Sequence, residues 1–357
     1  MQTQAIGPIR AATDVVIQAK SGMGKTGAFV IGLLDRIDTS GAPRAPQALV
    51  LSPVRELAVQ TNRVVEALGL HLGIKAASCV GGTPVSENRA AIAAGAHVVS
   101  GTPGRVLQLI ERGWLSLDSI RVVCLDEADE LLSDDFMPQM RAILTAGLPE
   151  SVQVVMFSAT MSDGAEDVAA NFMVEPVTVR LADDDTHLAG IEQYYVECRN
   201  NEDKLSAIID LYERLSATQS ILFCSSRAAV DSLSAALRER DFGVSSVHAD
   251  MEQWQRDEVV EAFRAGSTRV LVTTDVLARG FDVQTVSMVV NVELPREFST
   301  YTHRIGRSGR HGRRGVAVSL VTARDRAWMA GLEGRYGVGV KPLPAELVQE
   351  GGAAAAP

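Results

Sequence analysis

Cysteine is scarce in this chain. Cys79, Cys124, Cys198 and Cys224 are far apart and form no Cys-x-x-Cys pair. That excludes a disulfide-stapled scaffold and a thiolate metal site, and it points to reduced, mostly buried thiols in a cytosolic or nuclear compartment. Aromatic residues make up 5% of the chain, with Trp114, Trp254 and Trp328 widely separated. No aromatic stacking platform for bases is therefore expected. No apolar run reaches the roughly 20 residues of a membrane-spanning helix, and Met1 is not followed by a signal peptide. Positive charge is also short: 34 Lys and Arg against 44 Asp and Glu give a net charge of −10. A globally basic nucleic-acid binder is excluded, although a local strip is not. One such strip runs through His303, Arg304, Arg307, Arg310, His311, Arg313 and Arg314. A run of this kind is either a solvated face or a contact, and its composition leaves both open.

What is present fits an α/β protein. The 357 residues are 46% apolar and 22% charged, enough for two domains with a core each. In the first half, apolar runs at 15–18, 48–51, 76–80, 97–100, 122–125 and 152–157 read as strands. Segments 26–37, 56–68 and 105–112 read as helices. This alternation predicts a parallel sheet covered on both faces. The acidic stretch LADDDTH at 181–187 reads as a linker. Alternation then resumes, with strands at 191–198, 220–224, 243–247, 269–273, 286–292 and 315–320. Helices are expected at 203–215, 228–240, 253–265 and near 323–336. The expected organisation is a first domain at 1–182, a linker at 183–190, a second domain at 191–345 and a disordered Ala/Gly-rich tail at 346–357.

Two motifs carry chemistry. The octet VVCLDEAD at 122–129 is a strand that ends in carboxylates. Alone, it admits two readings: an acidic helix N-terminus favourable to the helix dipole, or acids at the ligand edge of a parallel sheet that hold a metal and activate water. The run VVIQAKSGMGKT at 15–26 decides between them. A strand leads into a glycine-bearing loop and then a helix, the arrangement in which backbone N–H groups cradle phosphate. Ser21, Gly22, Met23 and Gly24 form the cradle, Lys25 reaches the β- and γ-phosphates, and Thr26 holds Mg²⁺. Asp126 then shares the Mg²⁺, Glu127 orients and deprotonates the attacking water, and Asp129 couples hydrolysis to motion. A phosphate-bearing nucleotide and Mg²⁺ are the expected cofactors.

Asp126 to Asp129 spell D-E-A-D, and further elements fall in order around them: PVRELA at 53–58, Gly81-Gly82, TPGR at 102–105, Ser158-Ala159-Thr160, Phe223 and Arg227, Gln253-x-x-Arg256, TDVLARGFD at 274–282 and HRIGRSGR at 303–310. Across 1–345 the chain resembles the DEAD-box ATP-dependent RNA helicases. It is most similar to the initiation-factor-four-A branch in KLSAIIDLYERLSATQSILFCSSR and HRIGRSGRHGRRGVAVSLVT. A second likeness, in QAKSGMGKT, GGTPVS and the PLP near residue 343, points to the helicase of the survival-of-motor-neuron complex.

The resemblance implies two RecA-like P-loop NTPase domains in tandem, with ATP as the nucleotide. It implies an enzyme that couples RNA-stimulated ATP hydrolysis to local duplex unwinding or RNP remodelling. A nucleotide-dependent RNA clamp with little turnover is the alternative. Arg307 and Arg310 are implied arginine fingers, Gly280 and Asp282 ribose-side contacts, and His303, with Ser158, Thr160 and Asp129, part of the coupling path. Implied RNA contacts are Pro53, Arg55, Gly82, Thr102 and Arg105 in the first domain, and Arg227, Gln253, Arg256 and Thr274 in the second. Contacts aimed at phosphate and sugar imply low sequence specificity.

The chain also departs from the family pattern. Gln2 matches the adenine-reading glutamine, but the aromatic residue that precedes it in the family has no counterpart, so the chain reads as starting at an internal position. Ala19 replaces the first glycine of the general loop pattern, and Val54 stands where threonine is usual.

Overall fold

The computed structural model describes residues 2–19, 24–40, 45–158, 161, 163–180, 191–214, 218–277, 286–308, 315–336 and 339–344. The chain divides into two compact units, Met1–Asp183 and Asp184–Pro357.

The first unit is a seven-stranded, all-parallel sheet. Its strands are β1 (Val15–Gln18), β2 (Ala48–Leu51), β3 (Ala76–Cys79), β4 (Val98–Gly101), β5 (Val122–Asp126), β6 (Gln153–Ser158) and β7 (Val177–Arg180). They lie in the order β3-β4-β2-β5-β6-β1-β7. Strand pleating sends alternate residues to opposite faces, and the core divides accordingly. Val16, Leu49, Leu51, Val123, Leu125, Val154 and Met156 pack on one face. Val15, Ile17, Ala48, Val50, Val122, Val155 and Phe157 pack on the other. Both faces of β1, β2, β4, β5 and β6 are buried, which is why these strands read as unbroken apolar runs. Each fully buried Val, Leu, Ile or Phe contributes about 1.5–3 kcal/mol.

Helices cover both faces. Helices α1 (Gln2–Arg10), α2 (Lys25–Leu34) and α3 (Arg55–Gly69) contribute Ile9, Phe29, Leu33 and Val65 to the second cluster. Helices α4 (Val85–Ala93), α5 (Pro103–Glu111), α6 (Ala128–Leu131), α7 (Met137–Leu144) and α8 (Asp163–Phe172) cover the first.

Several of these elements go beyond the sequence expectation: α1, α4, α6, α7, α8 and β7. Helix α1 contains Pro8, a residue that disfavours helix interiors. It is anchored from outside by Gln153, whose amide Nε2 donates to the carbonyls of Ile9 and Thr13 at 3.1 and 2.6 Å. The Asp14 carboxylate accepts the Val154 and Val174 backbone N–H groups at 2.7 and 2.6 Å, which fixes where β1 enters the sheet.

The second unit repeats the plan. Strands β8 (Ile191–Glu197), β9 (Gln219–Phe223), β10 (Val244–Val247), β11 (Val270–Thr273), β12 (Val286–Asn291), β13 (Gly315–Val321) and β14 (Lys341–Pro342) lie in the order β10-β11-β9-β12-β13-β8-β14. Helices α9 (Asn201–Arg214), α10 (Arg227–Arg238), α11 (Gln253–Arg264), α12 (Phe298–Ile305) and α13 (Arg326–Tyr336) flank them. The expected fold class, two RecA-like parallel sheets in tandem, is the one found. All four cysteines are free and buried. Among the described residues, no helix is long and apolar enough to cross a membrane.

Candidate functional site

In a parallel sheet, loops at the carboxyl ends of the strands gather on one edge, and most of the described site residues expected in the first unit follow strand ends there. The strand order sorts them into two groups. Loops after β1, β5 and β6 carry the residues expected to meet nucleotide. Loops after β2, β3 and β4 carry those expected to meet RNA.

In the first group, Gly24 takes a left-handed conformation (φ +78°) and leads into α2, a turn that glycine alone makes without strain. The Gln2 side chain lies against this turn: a Cβ on Gly24 would stand 3.0 Å from the Gln2 Nε2 atom. Lys25 opens α2, and its Nζ lies 3.1 Å from the Glu127 Oε1 atom, with both side chains buried. Thr26 follows within the first turn of α2. Ser21, Gly22 and Met23 lie outside the described residues.

The electrostatics of this group are dominated by burial. Asp126 is buried at the end of β5, and burial together with the adjacent Glu127 charge pushes its carboxyl up to about 7, against the pull of Lys25. Burial works to lower the Lys25 pKa, but the charges of Glu127, Asp126 and Asp129 outweigh it and hold the ammonium more tightly than usual. One lysine thus serves an excess of buried carboxylate. Glu127 itself sits in the left-handed region (φ +52°, ψ +55°), where a non-glycine residue is uncommon. Its backbone N–H donates to the Asp126 Oδ1 atom at 3.1 Å. Ser158, buried at the end of β6, accepts the Asp129 N–H at its Oγ (3.1 Å) and the Ala19 N–H at its carbonyl (2.9 Å). It thereby ties the acidic turn to the entry of the phosphate loop. Thr160 lies outside the described residues.

The second group is held by arginines. Pro53 and Val54 lead from β2 into α3, where Arg55 is the first residue. The Arg55 guanidinium lies over Gly81, where a Cβ would come within 2.9 Å of Nη2. Gly82 is left-handed (φ +83°). Arg105 donates to the Thr83 carbonyl at 3.0 Å, to the Thr83 hydroxyl at 3.3 Å and to the Asn88 side-chain oxygen. Asn88 in turn donates to the Ser78 carbonyl at 3.0 Å. Arg105 therefore splints the loop after β3 to α5. Thr83 and Asn88 were not singled out from sequence, where nothing local marks them. Thr102 caps α5 and donates its N–H to the Cys79 carbonyl at 3.2 Å.

In the second unit, Arg227 opens α10 behind the Ser226 cap and pairs with Asp250. Gln253 opens α11. Its Oε1 accepts from the Arg256 Nη2 atom at 2.5 Å, and its Nε2 donates to Asp257 at 2.9 Å. Thr274 accepts at its carbonyl from the Thr273 hydroxyl at 3.1 Å. Helix α12 carries His303 and ends just before Arg307. Both are buried, and the Arg307 Nε atom donates to the His303 carbonyl at 3.0 Å.

The residue that sequence reasoning placed wrongly in emphasis is Arg304. It sits in the basic strip yet is fully buried. It forks onto Asp275 at 2.6 and 3.0 Å and donates to the Asn291 side chain and the Glu293 carbonyl at 3.2 and 2.7 Å. It also lies 5.1 Å from the Phe223 ring centre. Gly280, Asp282, Arg310, His311, Arg313 and Arg314 lie outside the described residues.

A magnesium–nucleotide complex fits the first group. Among the described residues no cluster of three or more acidic, His or Cys side chains could hold a metal by itself. The carboxyl of Asp126, which carries a penalty for its charge, would gain from a divalent cation brought in with phosphate.

Comparison with known proteins gives a consistent picture. The family described as DEAD/DEAH box helicase matches residues 1–168, and the helicase conserved C-terminal domain matches 203–312. The chain is 47% identical over 347 residues to an ATP-dependent RNA helicase eIF4A of Eremothecium gossypii, covering 97% of this chain and 87% of that protein. It is 47% identical to eukaryotic initiation factor 4A-3 of Arabidopsis thaliana, covering 97% of this chain and 83% of that one. Among solved structures it is similar to S. cerevisiae Dbp5 bound to RNA and ADP BeF3, with a TM-score of 0.86 and 34% identity over 97% of this chain and 89% of that chain. It is also similar to Mss116p bound to ssRNA and AMP-PNP, with a TM-score of 0.87 and 25% identity over 97% of this chain and 75% of that chain.

Proposed function

The chain belongs to the DEAD-box helicases, and from that premise we propose that it hydrolyses ATP in response to RNA and uses the cycle to separate short RNA duplexes, as an initiation-factor-four-A-like helicase. The observation that carries the reading is the buried group of Lys25, Asp126 and Glu127 beside the left-handed turn at Gly24. Mg²⁺ bound with ATP would neutralise phosphate charge and be held by Thr26 and Asp126. Lys25, now paired with Glu127, would exchange that partner for phosphate oxygens. Release from the lysine leaves the Glu127 carboxylate to orient water and accept its proton, a general-base role of about 10²–10⁴ in rate. The Gln2 amide, already against the phosphate turn, would read adenine. Residues 1–182 and 191–345 act as the two motor domains, with Arg307 and Arg310 supplying guanidinium charge to the γ-phosphate.

RNA is expected along the loops after β2, β3 and β4, at Pro53, Arg55, Gly82, Thr102 and Arg105. In the second unit it is expected at Arg227, Gln253, Arg256 and Thr274. The Arg105 splint supports this assignment because it pre-shapes the loop bearing Gly82 before RNA arrives. Such contacts address the backbone and predict binding with little sequence preference. The test is RNA-stimulated ATP turnover by the Glu127→Gln protein. Turnover should fall at least about a hundredfold with nucleotide affinity retained; turnover at the wild-type rate removes Glu127 from the mechanism.

A further inference from the structure

The two sheets correspond strand for strand: the order β3-β4-β2-β5-β6-β1-β7 of the first unit becomes β10-β11-β9-β12-β13-β8-β14 in the second. Helix α9, which follows β8, therefore stands where α2 stands. The turn after β12 stands where the acidic turn after β5 stands. Each unit reaches from that helix to that turn with a buried lysine. In the first, the Lys25 Nζ atom meets the Glu127 carboxylate at 3.1 Å. In the second, Lys204 is buried on α9, and its Nζ donates to the Val292 carbonyl at 2.6 Å. Lys204 thus has a neutral acceptor where Lys25 has a carboxylate, and it forms no ion pair among the described residues. A buried ammonium without a counter-charge is costly, and it has more N–H groups to give than one carbonyl takes.

A cavity of about 130 Å³ opens beside Lys204, between α9 and α10. That is close to the roughly 150 Å³ that holds a benzene-sized body. Leu205, Ile208, Leu233 and Ala236 give it apolar walls. Cys224 also lines it, and burial pushes that thiol up to about 12, so the sulfur brings no charge. Glu293 supplies a negative charge to the lining. Its Oε2 atom accepts the Ser225 N–H at 2.9 Å, and it has no cationic partner among the described residues. Of the acids in the first turn of α9, Asp203 is paired with Arg199 at 2.7 Å and Glu202 is exposed. The segment before α9, Cys198-Arg199-Asn200, contains no glycine, so the backbone cradle of a triphosphate is missing. The lining asks instead for a small molecule with an anionic end, a cationic end and a short aliphatic body.

We propose that this cavity binds an aliphatic α-amino acid, with its carboxylate on Lys204, its ammonium on Glu293 and its side chain among Leu205, Ile208 and Leu233. The site is independent of the helicase reading. The experiment follows the methyl resonances of Leu205, Ile208 and Leu233 in the full chain as L-leucine is added. Saturable shifts with a midpoint at about 1 mM are expected. Isocaproate lacks the ammonium, isoamylamine lacks the carboxylate and glycine lacks the aliphatic body. Each should bind at least about tenfold more weakly than L-leucine. The Ala236→Leu protein, whose larger side chain fills the cavity, should lose L-leucine by a similar factor while keeping the wild-type urea midpoint.

Shifts that fail to saturate by about 50 mM L-leucine overturn the inference. Isocaproate or isoamylamine binding as tightly as L-leucine also overturns it, because one of the two charges is then unused. An Ala236→Leu protein that binds L-leucine like the wild type places the ligand elsewhere and overturns it as well.

Discussion

Replacing Arg304 by methionine should cost the second unit about 4 kcal/mol of stability. The side chain is fully buried, whereas its partner Asp275 is 47% exposed. On loss of the guanidinium the Asp275 carboxylate turns to water, so that half of the pair costs little. The Asn291 side-chain oxygen and the Glu293 carbonyl lose the donors they have at 3.2 and 2.7 Å. A buried acceptor stripped of its partner costs about 1–3 kcal/mol. The contact with the Phe223 face adds about 1 kcal/mol, and methionine replaces much of the apolar stem.

The assay is urea unfolding followed by Trp328 fluorescence, in a Trp114→Phe, Trp254→Phe background so that the signal reports the second unit. With an m-value of about 2 kcal/mol/M, the midpoint should drop by about 2 M. Arg304→Lys should recover less than half, because one ammonium cannot span three separated acceptors. A midpoint for Arg304→Met within about 0.5 M of wild type would refute the reasoning. A functional consequence follows from the same geometry. Asp275 neighbours Thr274, and Arg304 neighbours His303 on α12, so the clamp joins the segment expected at RNA to the helix leading to Arg307. RNA stimulation of ATPase should suffer more than basal turnover.

Val54 caps α3 with extended backbone (φ −123°, ψ +152°) and has no side-chain acceptor. Val54→Thr should add about 1 kcal/mol of capping, raising the first unit's melting temperature by about 2–4 °C, and should tighten RNA binding about fivefold through the new hydroxyl; differential scanning calorimetry and RNA titration check both, and no gain in either removes the idea. His97 is buried and accepts the Lys75 backbone N–H at its Nδ1 atom (3.0 Å). Burial, then the Lys75 charge, holds its pKa below the ordinary 6.5. The folded state therefore favours neutral imidazole, and its contribution is complete above pH 6.5 and lost as pH falls through the lower folded value. The first unit's unfolding midpoint should decline as pH is lowered from 7, and His97→Gln should flatten that decline.

The central strands were legible because both their faces are buried, so VVIQ, ALVL and VVCLD announce themselves as apolar runs. The meeting of Lys25 with Glu127 was legible because the loop after β1 and the acids after β5 belong to one edge of a parallel sheet. Helix α1 was hidden by Gly7-Pro8, since what holds it is a distant side chain, Gln153. Strand β7 lies at the sheet edge with most of its residues exposed, so it lacks the apolar run that marks its neighbours. Arg304 was absorbed into the basic strip because a run of charges carries no record of which member points inward. Arg105 reads from sequence as a phosphate contact alone. Its grip on Thr83 and Asn88 spans 22 and 17 positions, a separation that no local pattern encodes.

The left-handed backbone at Glu127 has a consequence for anyone who selects variants of this chain. An L-residue held there forgoes about 1 kcal/mol or more relative to glycine. A library sorted only for heat resistance would tend to enrich glycine or asparagine at position 127, and each survivor would have lost the carboxylate assigned to water. Improvement by endurance alone would thus yield well-folded proteins that bind nucleotide and do not turn it over. Screens of this scaffold should read catalysis and endurance together.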